Sequence, residues 1–269
     1  MSDEPPPRSR WWDDAFTRIL LDAVPPNAAT LIDVGCGVAN AAHALLPARR
    51  ELRYLGVDLD EARLATASAS LAGRSYAPRV ELRRAAAETL PVPDAVAEVM
   101  LFVLTLNEVS DVPRVLAEAR RSLVEGGRLV AVEPDNLGTR LYFDGYEAPL
   151  SAAFHTLCEV ARAAAAPADL AIGARVPSLV ESAGLIIESV RAHALHDTRR
   201  ESSEAFAARL TVLAKLIADK SALPSDAPAL VAFERALADF ASTPHMPETG
   251  WASHVVPVFV CVGMRPSVS

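Results

Sequence analysis

The strongest chemical signal in the chain is a run of ten residues, Leu31-Ile32-Asp33-Val34-Gly35-Cys36-Gly37-Val38-Ala39-Asn40. An apolar strand that breaks into glycines lets a ligand approach the backbone within van der Waals contact, and a helix starting just beyond presents unpaired N–H groups to it. The same pattern also describes a tight strand-to-helix turn that holds nothing. Asp58 stands 23 positions beyond Gly35, at the end of a second apolar stretch. A carboxylate there can accept two hydrogen bonds from a ribose diol, although Asp58 or Asp60 can equally be the N-cap of the next helix. A dinucleotide fingerprint needs glycine three residues after Gly37, where Asn40 stands, which disfavours a nicotinamide cofactor.

The elements that must carry these residues alternate. Residues 30–34, 53–57, 79–83, 99–104 and 128–133 read as strands, and helices over 39–46, 61–71 and 113–123 separate them. Gly73 and Gly126-Gly127 stop two of the helices. Such alternation predicts a doubly wound, mostly parallel sheet, with the strand C-terminal ends on one ligand-binding edge. The second half differs, with strands at 185–193 and 255–262 and helices over 147–166, 177–183, 203–218 and 228–242. Residues 11–269 are expected to form one domain behind a disordered, Pro-rich lead-in over 1–10, with 197–253 as a helical insertion that covers the substrate site. Trp11 and Trp12, in an N-terminal amphipathic helix, are expected to join that lid.

Taken in order, these motifs resemble the class I, type-11-like S-adenosylmethionine methyltransferases. Leu31–Ala39 is similar to the family's glycine loop, Tyr54–Asp58 to its ribose strand and Ala85–Pro91 to its adenine loop. Glu98–Asp111 resembles its fourth strand, Leu116–Glu133 its closing helix, Gly-Gly turn and strand, and Phe259–Pro266 its last, antiparallel strand. The resemblance implies a seven-stranded Rossmann-like sheet and S-adenosylmethionine as cofactor. It further implies that Gly35, Cys36 and Gly37 pack on the methionine part, with Asp33 and Asn40 nearby. Asp58 and Leu59 would hold the ribose, Ala87 and Glu88 the adenine edge, Phe102 and Val103 its ring face and the sulfonium side, and Asn107 the region of the transferable methyl.

Three positions depart from the family pattern. Ala39 replaces its third glycine and Ala97-Glu98 its Phe-Asp pair. Ala86 replaces an aspartate of the adenine loop, a lost hydrogen bond worth about tenfold in affinity at roughly 1 kcal/mol.

Methyl transfer from a sulfonium needs alignment and exclusion of water more than a catalytic triad or a metal, and no metal is expected. A hydroxyl acceptor benefits from a base, for which the chain offers His43, His155, His193, His196, His245 and His254. His155, beyond the fifth strand, is the candidate catalytic residue. Glu133, Asp135 and Tyr142 either line the acceptor site or belong to a plain turn. The implied activity is methylation of a small molecule, at oxygen or nitrogen rather than carbon. The alternative, which Ala86 motivates, is a protein that binds the cofactor without methylating.

Composition narrows the partners. A net charge of −8 with dispersed arginine pairs disfavours nucleic acid. Three scattered cysteines, Cys36, Cys158 and Cys261, suit neither a disulfide framework nor a zinc site and favour a reducing, cytoplasmic setting. No stretch reads as a signal peptide or a membrane span, so no membrane partner is expected. Assembly is left open, a homodimer being one option.

Overall fold

The computed structural model describes residues 12–144, 146, 148–164, 169–243 and 247–267. The lead-in over 1–10, Trp11 and His245 lie outside the described residues. The chain divides into two compact units.

The first unit draws on residues up to Glu133, on 173–192, and on the chain from Phe259. Helix α1 (Asp14–Ala23) is capped by Asp13, whose carboxylate accepts the Phe16 N–H at 2.8 Å. Strands β1 (Thr30–Val34), β2 (Arg53–Asp58), β3 (Val80–Arg84), β4 (Ala97–Val103) and β5 (Leu123–Pro134) follow. Between them lie α2 (Asn40–Leu45), α3 (Glu61–Leu71) and α4 (Val112–Ser122). The five strands pair in parallel in the order β3-β2-β1-β4-β5. Val99, Met100, Leu101 and Phe102 are wholly buried, as a central parallel strand covered on both faces must be. Glu98 accepts the Ala29 N–H at 2.8 Å, so this carboxylate ties the start of β4 to the start of β1.

Register places the functional edge. Val34 lies beside Val57 on one side and Phe102 on the other, which brings the ends of β1, β2 and β4 level. Helix α6 (Val176–Ser182) and the end of β8 (Thr249–Met264) complete the unit. The chain meets β5 there through the Gly126 N–H to Arg265 O and the Arg265 N–H to Gly127 O, both 2.9 Å.

The second unit comprises 134–172 and 193–258. Strand β6 (Arg140–Phe143) pairs antiparallel with β8, Leu141 opposite His254. Strand β7 (Ile186–Ser202), which begins in the first unit, also pairs with β8. Around this ladder pack α5 (Ala148–Ala163), α7 (Ser203–Lys220) and α8 (Pro228–Ala241). Their apolar positions meet in a core where Phe143 stacks on Phe206 at 5.5 Å and meets Phe240 edge-on at 5.4 Å, geometries that aromatic quadrupoles favour.

The mostly parallel sheet with an antiparallel last strand is as expected, with one strand more than the seven anticipated. The addition is β6, four residues long and too short to show a periodicity. No helix among the described residues is long and apolar enough to cross a membrane.

Candidate functional site

Beyond Val34 the chain turns at Gly35, whose φ of +72° lies in the left-handed region. The turn is stitched to the end of β2. Gly35 and Cys36 donate their N–H groups to Val57 O at 2.7 and 3.0 Å, and Gly37 donates to an Asp58 carboxylate oxygen at 2.8 Å. A Cβ on Gly35 would lie 2.5 Å from the Thr105 side chain, so only glycine allows the loop after β4 to close against the elbow. A Cβ on Gly56 in β2 would lie 2.8 Å from Cys36 Sγ, which explains how the Cys36 side chain is accommodated. Ala39 adopts a φ of +60° while fully buried, which accounts for the family's glycine at this place.

The two aspartates, Asp58 at the last position of β2 and Asp60 just beyond it, divide the work. Asp60 is the N-cap of α3, accepting from Ala62 and Arg63 N–H at 2.9 and 3.1 Å. Asp58 is thereby free of that task. Its second oxygen accepts the Asp60 N–H at 2.9 Å, and each oxygen keeps a lone pair for a further donor.

Asp33, next to the last residue of β1, is buried and accepts the Tyr54 O–H. Burial pushes its carboxyl up to about 7, the Tyr54 hydroxyl opposes that shift by favouring the ionised form, and Asp58 adds to it by repulsion. Because this folded pKa lies above the unfolded value, Asp33 stabilises the fold most in acid, and that contribution is lost as pH rises from about 4 to about 7. Tyr54→Phe removes a bond that is stronger to the ionised form. The variant should therefore be destabilised by about 1 kcal/mol at pH 5 and about 2–3 kcal/mol at pH 8. Urea denaturation of both proteins across that range measures the difference, and a pH-independent loss would refute the ionisation coupling. The Cys36 thiol beside it is pushed well up, first by burial and then by Asp33 and Asp58, which makes it a wall of the site and not a nucleophile.

A cavity of about 530 Å³ opens at this edge, within the range of roughly 300–1,000 Å³ that small-molecule sites occupy. Asp33, Gly35, Cys36, Gly37, Asn40, Asp58, Leu59, Ala87 and Val103 line it. Trp12 does too, packed edge-on against Phe16 at 4.9 Å. Ala85, the first residue of the expected adenine loop, lines it as well, and so do Arg63, Thr105 and Glu108, which sequence reasoning did not single out. Thr105 carried a usable signal as the first polar side chain past the buried strand.

Three expected contacts fall elsewhere. Phe102 is wholly buried within β4, because its side chain points away from the edge that Val103 faces. Glu88 is absent from the lining although Ala85 and Ala87 belong to it. Asn107 is buried off the cavity, its N–H directed at Glu133 and its Oδ1 without a partner.

Glu133 is the plainest correction. It does not line an acceptor site, because its carboxylate is entirely buried and turned onto the backbone of the loop after β4. Asp135 caps a short turn over Asn136–Gly138 by accepting the Leu137 N–H at 3.1 Å, as the plain-turn reading expected. Tyr142 sits in β6 opposite Ser253. His155 belongs to the second unit on α5, where its ring meets Leu137 O at 2.9 Å and Glu159 at 3.5 Å. His43 has structural partners in Tyr76 and Ser70.

Residues 32–131 match the methyltransferase domain family. The chain is 31% identical over 123 residues to the ubiquinone/menaquinone biosynthesis C-methyltransferase UbiE of Methylobacterium nodulans, covering 44% of this chain and 48% of that protein. It is 29% identical over 126 residues to a protein of Mycolicibacterium smegmatis named "probable S-adenosylmethionine-dependent methyltransferase", covering 47% of this chain and 44% of the other. The chain thus spans about half the length of the curated relatives it matches. Among solved structures, the [4+2]-cyclase SpnF superposes with a TM-score of 0.55 at 20% identity, over 95% of this chain and 81% of that one, a likeness of fold alone.

Proposed function

We propose that this chain, whose residues 32–131 are a class I S-adenosylmethionine-dependent methyltransferase domain, transfers the cofactor's methyl group to a small-molecule acceptor. The observation that carries this reading is that the Gly35–Gly37 elbow and the Asp58 carboxylate line one cavity, while Asp60 takes over the helix cap. The residues fit the cofactor. A cradle that a single Cβ would obstruct accepts the chain of an amino acid, and a carboxylate with spare lone pairs accepts a ribose diol.

When bound, S-adenosylmethionine supplies a methyl group on a sulfonium, already activated for attack. What remains for this chain is to bind, orient and exclude water. Asp58 holds the ribose end and the glycine elbow the amino-acid end. Asp33 is a buried carboxylate in the same wall, and a cation bound beside it favours its ionised form. Trp12 and Val103 add apolar cover. For the acceptor we favour oxygen or nitrogen. His155 is proposed as a base only for a hydroxyl acceptor, since an amine acceptor can arrive already deprotonated.

The test is calorimetric titration of the whole chain with S-adenosylhomocysteine, run beside its intrinsic fluorescence. Binding should change the emission of the wild-type protein, and Trp12→Phe should remove most of that change while binding persists. Absence of binding refutes the reading. Binding without turnover across amine, hydroxyl and carbon acceptors would favour a cofactor-binding protein that does not methylate.

A further inference from the structure

We propose that Glu133 is a positioning residue for the methyl-donor pocket, its carboxylate holding the backbone of Thr105–Asn107 so that Thr105 closes against Gly35. The inference rests on the methyltransferase reading above and deepens it.

Glu133 lies near the end of β5, the strand next to β4. The chain leaves β4 sharply, with Leu104 at a φ of +56° and its N–H on Val132 O at 3.0 Å. The next three N–H groups then converge on one side chain. Thr105 and Leu106 donate to Glu133 Oε1 at 2.9 and 2.8 Å, and Asn107 donates to Oε2 at 3.3 Å.

A carboxylate is expensive to take out of water, and this one is fully buried. Burial pushes Glu133 up to about 7 against the pull of those three N–H groups, and Glu108 adds repulsion. A loop with no demand on its geometry could satisfy the same N–H groups with carbonyls or solvent. Here both flanks of the clamped segment face the cavity, whose lining includes Leu104, Thr105, Glu108 and Val109. The Thr105 side chain is also the group that forbids a Cβ at Gly35. Glu133 therefore sets the width of the passage at the amino-acid end of the pocket, whereas the ribose end, built on Asp58 and α3, does not touch it.

Two ligands separate this role from general scaffolding. S-adenosylhomocysteine spans both ends of the pocket, and 5′-methylthioadenosine lacks the amino acid. Glu133→Gln keeps the volume but opposes an amide N–H to the Asn107 N–H, and it should weaken S-adenosylhomocysteine about tenfold. Its affinity for 5′-methylthioadenosine should stay within about twofold. Equal weakening of both ligands, or of neither, overturns the proposal. A second measurement needs no variant. Hydrogen exchange of the wild-type Thr105–Asn107 amides should be as slow as that of β4 before ligand is added, and fast exchange there overturns it too. Wild-type protein that binds neither ligand is a different result, which refutes the donor pocket itself.

Discussion

Replacing Gly35 by alanine should abolish measurable binding of S-adenosylhomocysteine and lower the stability of the unliganded protein by about 2–5 kcal/mol. Two penalties combine. The left-handed backbone at φ +72° disfavours an L side chain by about 1–2 kcal/mol. The new Cβ would also stand 2.5 Å from Thr105, an overpacking that costs about 1–3 kcal/mol. Thr105 cannot retreat cheaply, because its N–H is anchored on Glu133 at 2.9 Å. Gly37→Ala is the informative comparison. Gly37 is also left-handed, at φ +54°, but its Cβ would meet nothing within 4 Å, so only the backbone penalty of about 1–2 kcal/mol is expected. Urea denaturation and calorimetry on both variants measure the contrast. Wild-type affinity in Gly35→Ala would refute the steric account of the elbow.

Asp58→Ala should weaken S-adenosylhomocysteine by about a hundredfold or more, since charge-assisted bonds to two hydroxyls are each worth about 1.5–3 kcal/mol. The variant also leaves the Gly37 and Asp60 N–H groups without their acceptor, which loosens the elbow. Asp60→Ala, two residues on, should behave in the opposite way. It removes the cap of α3 and lowers stability by about 1 kcal/mol, while affinity changes by no more than about threefold. If the two variants exchange these phenotypes, Asp58 is the structural aspartate and the ribose assignment fails.

That pair also shows how far residue types could be read. The glycine elbow was legible because few sequences need an apolar strand ending in Gly-x-Gly, and the cavity lies where that pattern put it. Asp58 and Asp60 were ambiguous, since both are good caps and only the hydrogen bonds tell which one does the capping. In β4 the difficulty was burial on both faces, which erases the alternation that would have separated Val103, on the cavity, from Phe102, in the core. Glu133 was misread for a different reason. Its partners lie 26 to 28 residues earlier in the chain and are backbone groups, which leave no mark on composition. The second unit was visible as helices, yet β6 was hidden by its length and by a pairing with a segment more than a hundred residues away.

The sulfur chemistry of the pocket has a practical side. The Cys36 side chain fits only because Gly56 yields the space, and burial first, then the nearby Asp33 and Asp58, holds it as a neutral thiol. Cys158 and Cys261 are likewise buried. Alkylating reagents, which need a thiolate, should leave the folded protein almost untouched and label it only as it opens. The rate of labelling then serves as a clock for unfolding, and a cofactor that grips the elbow should slow it.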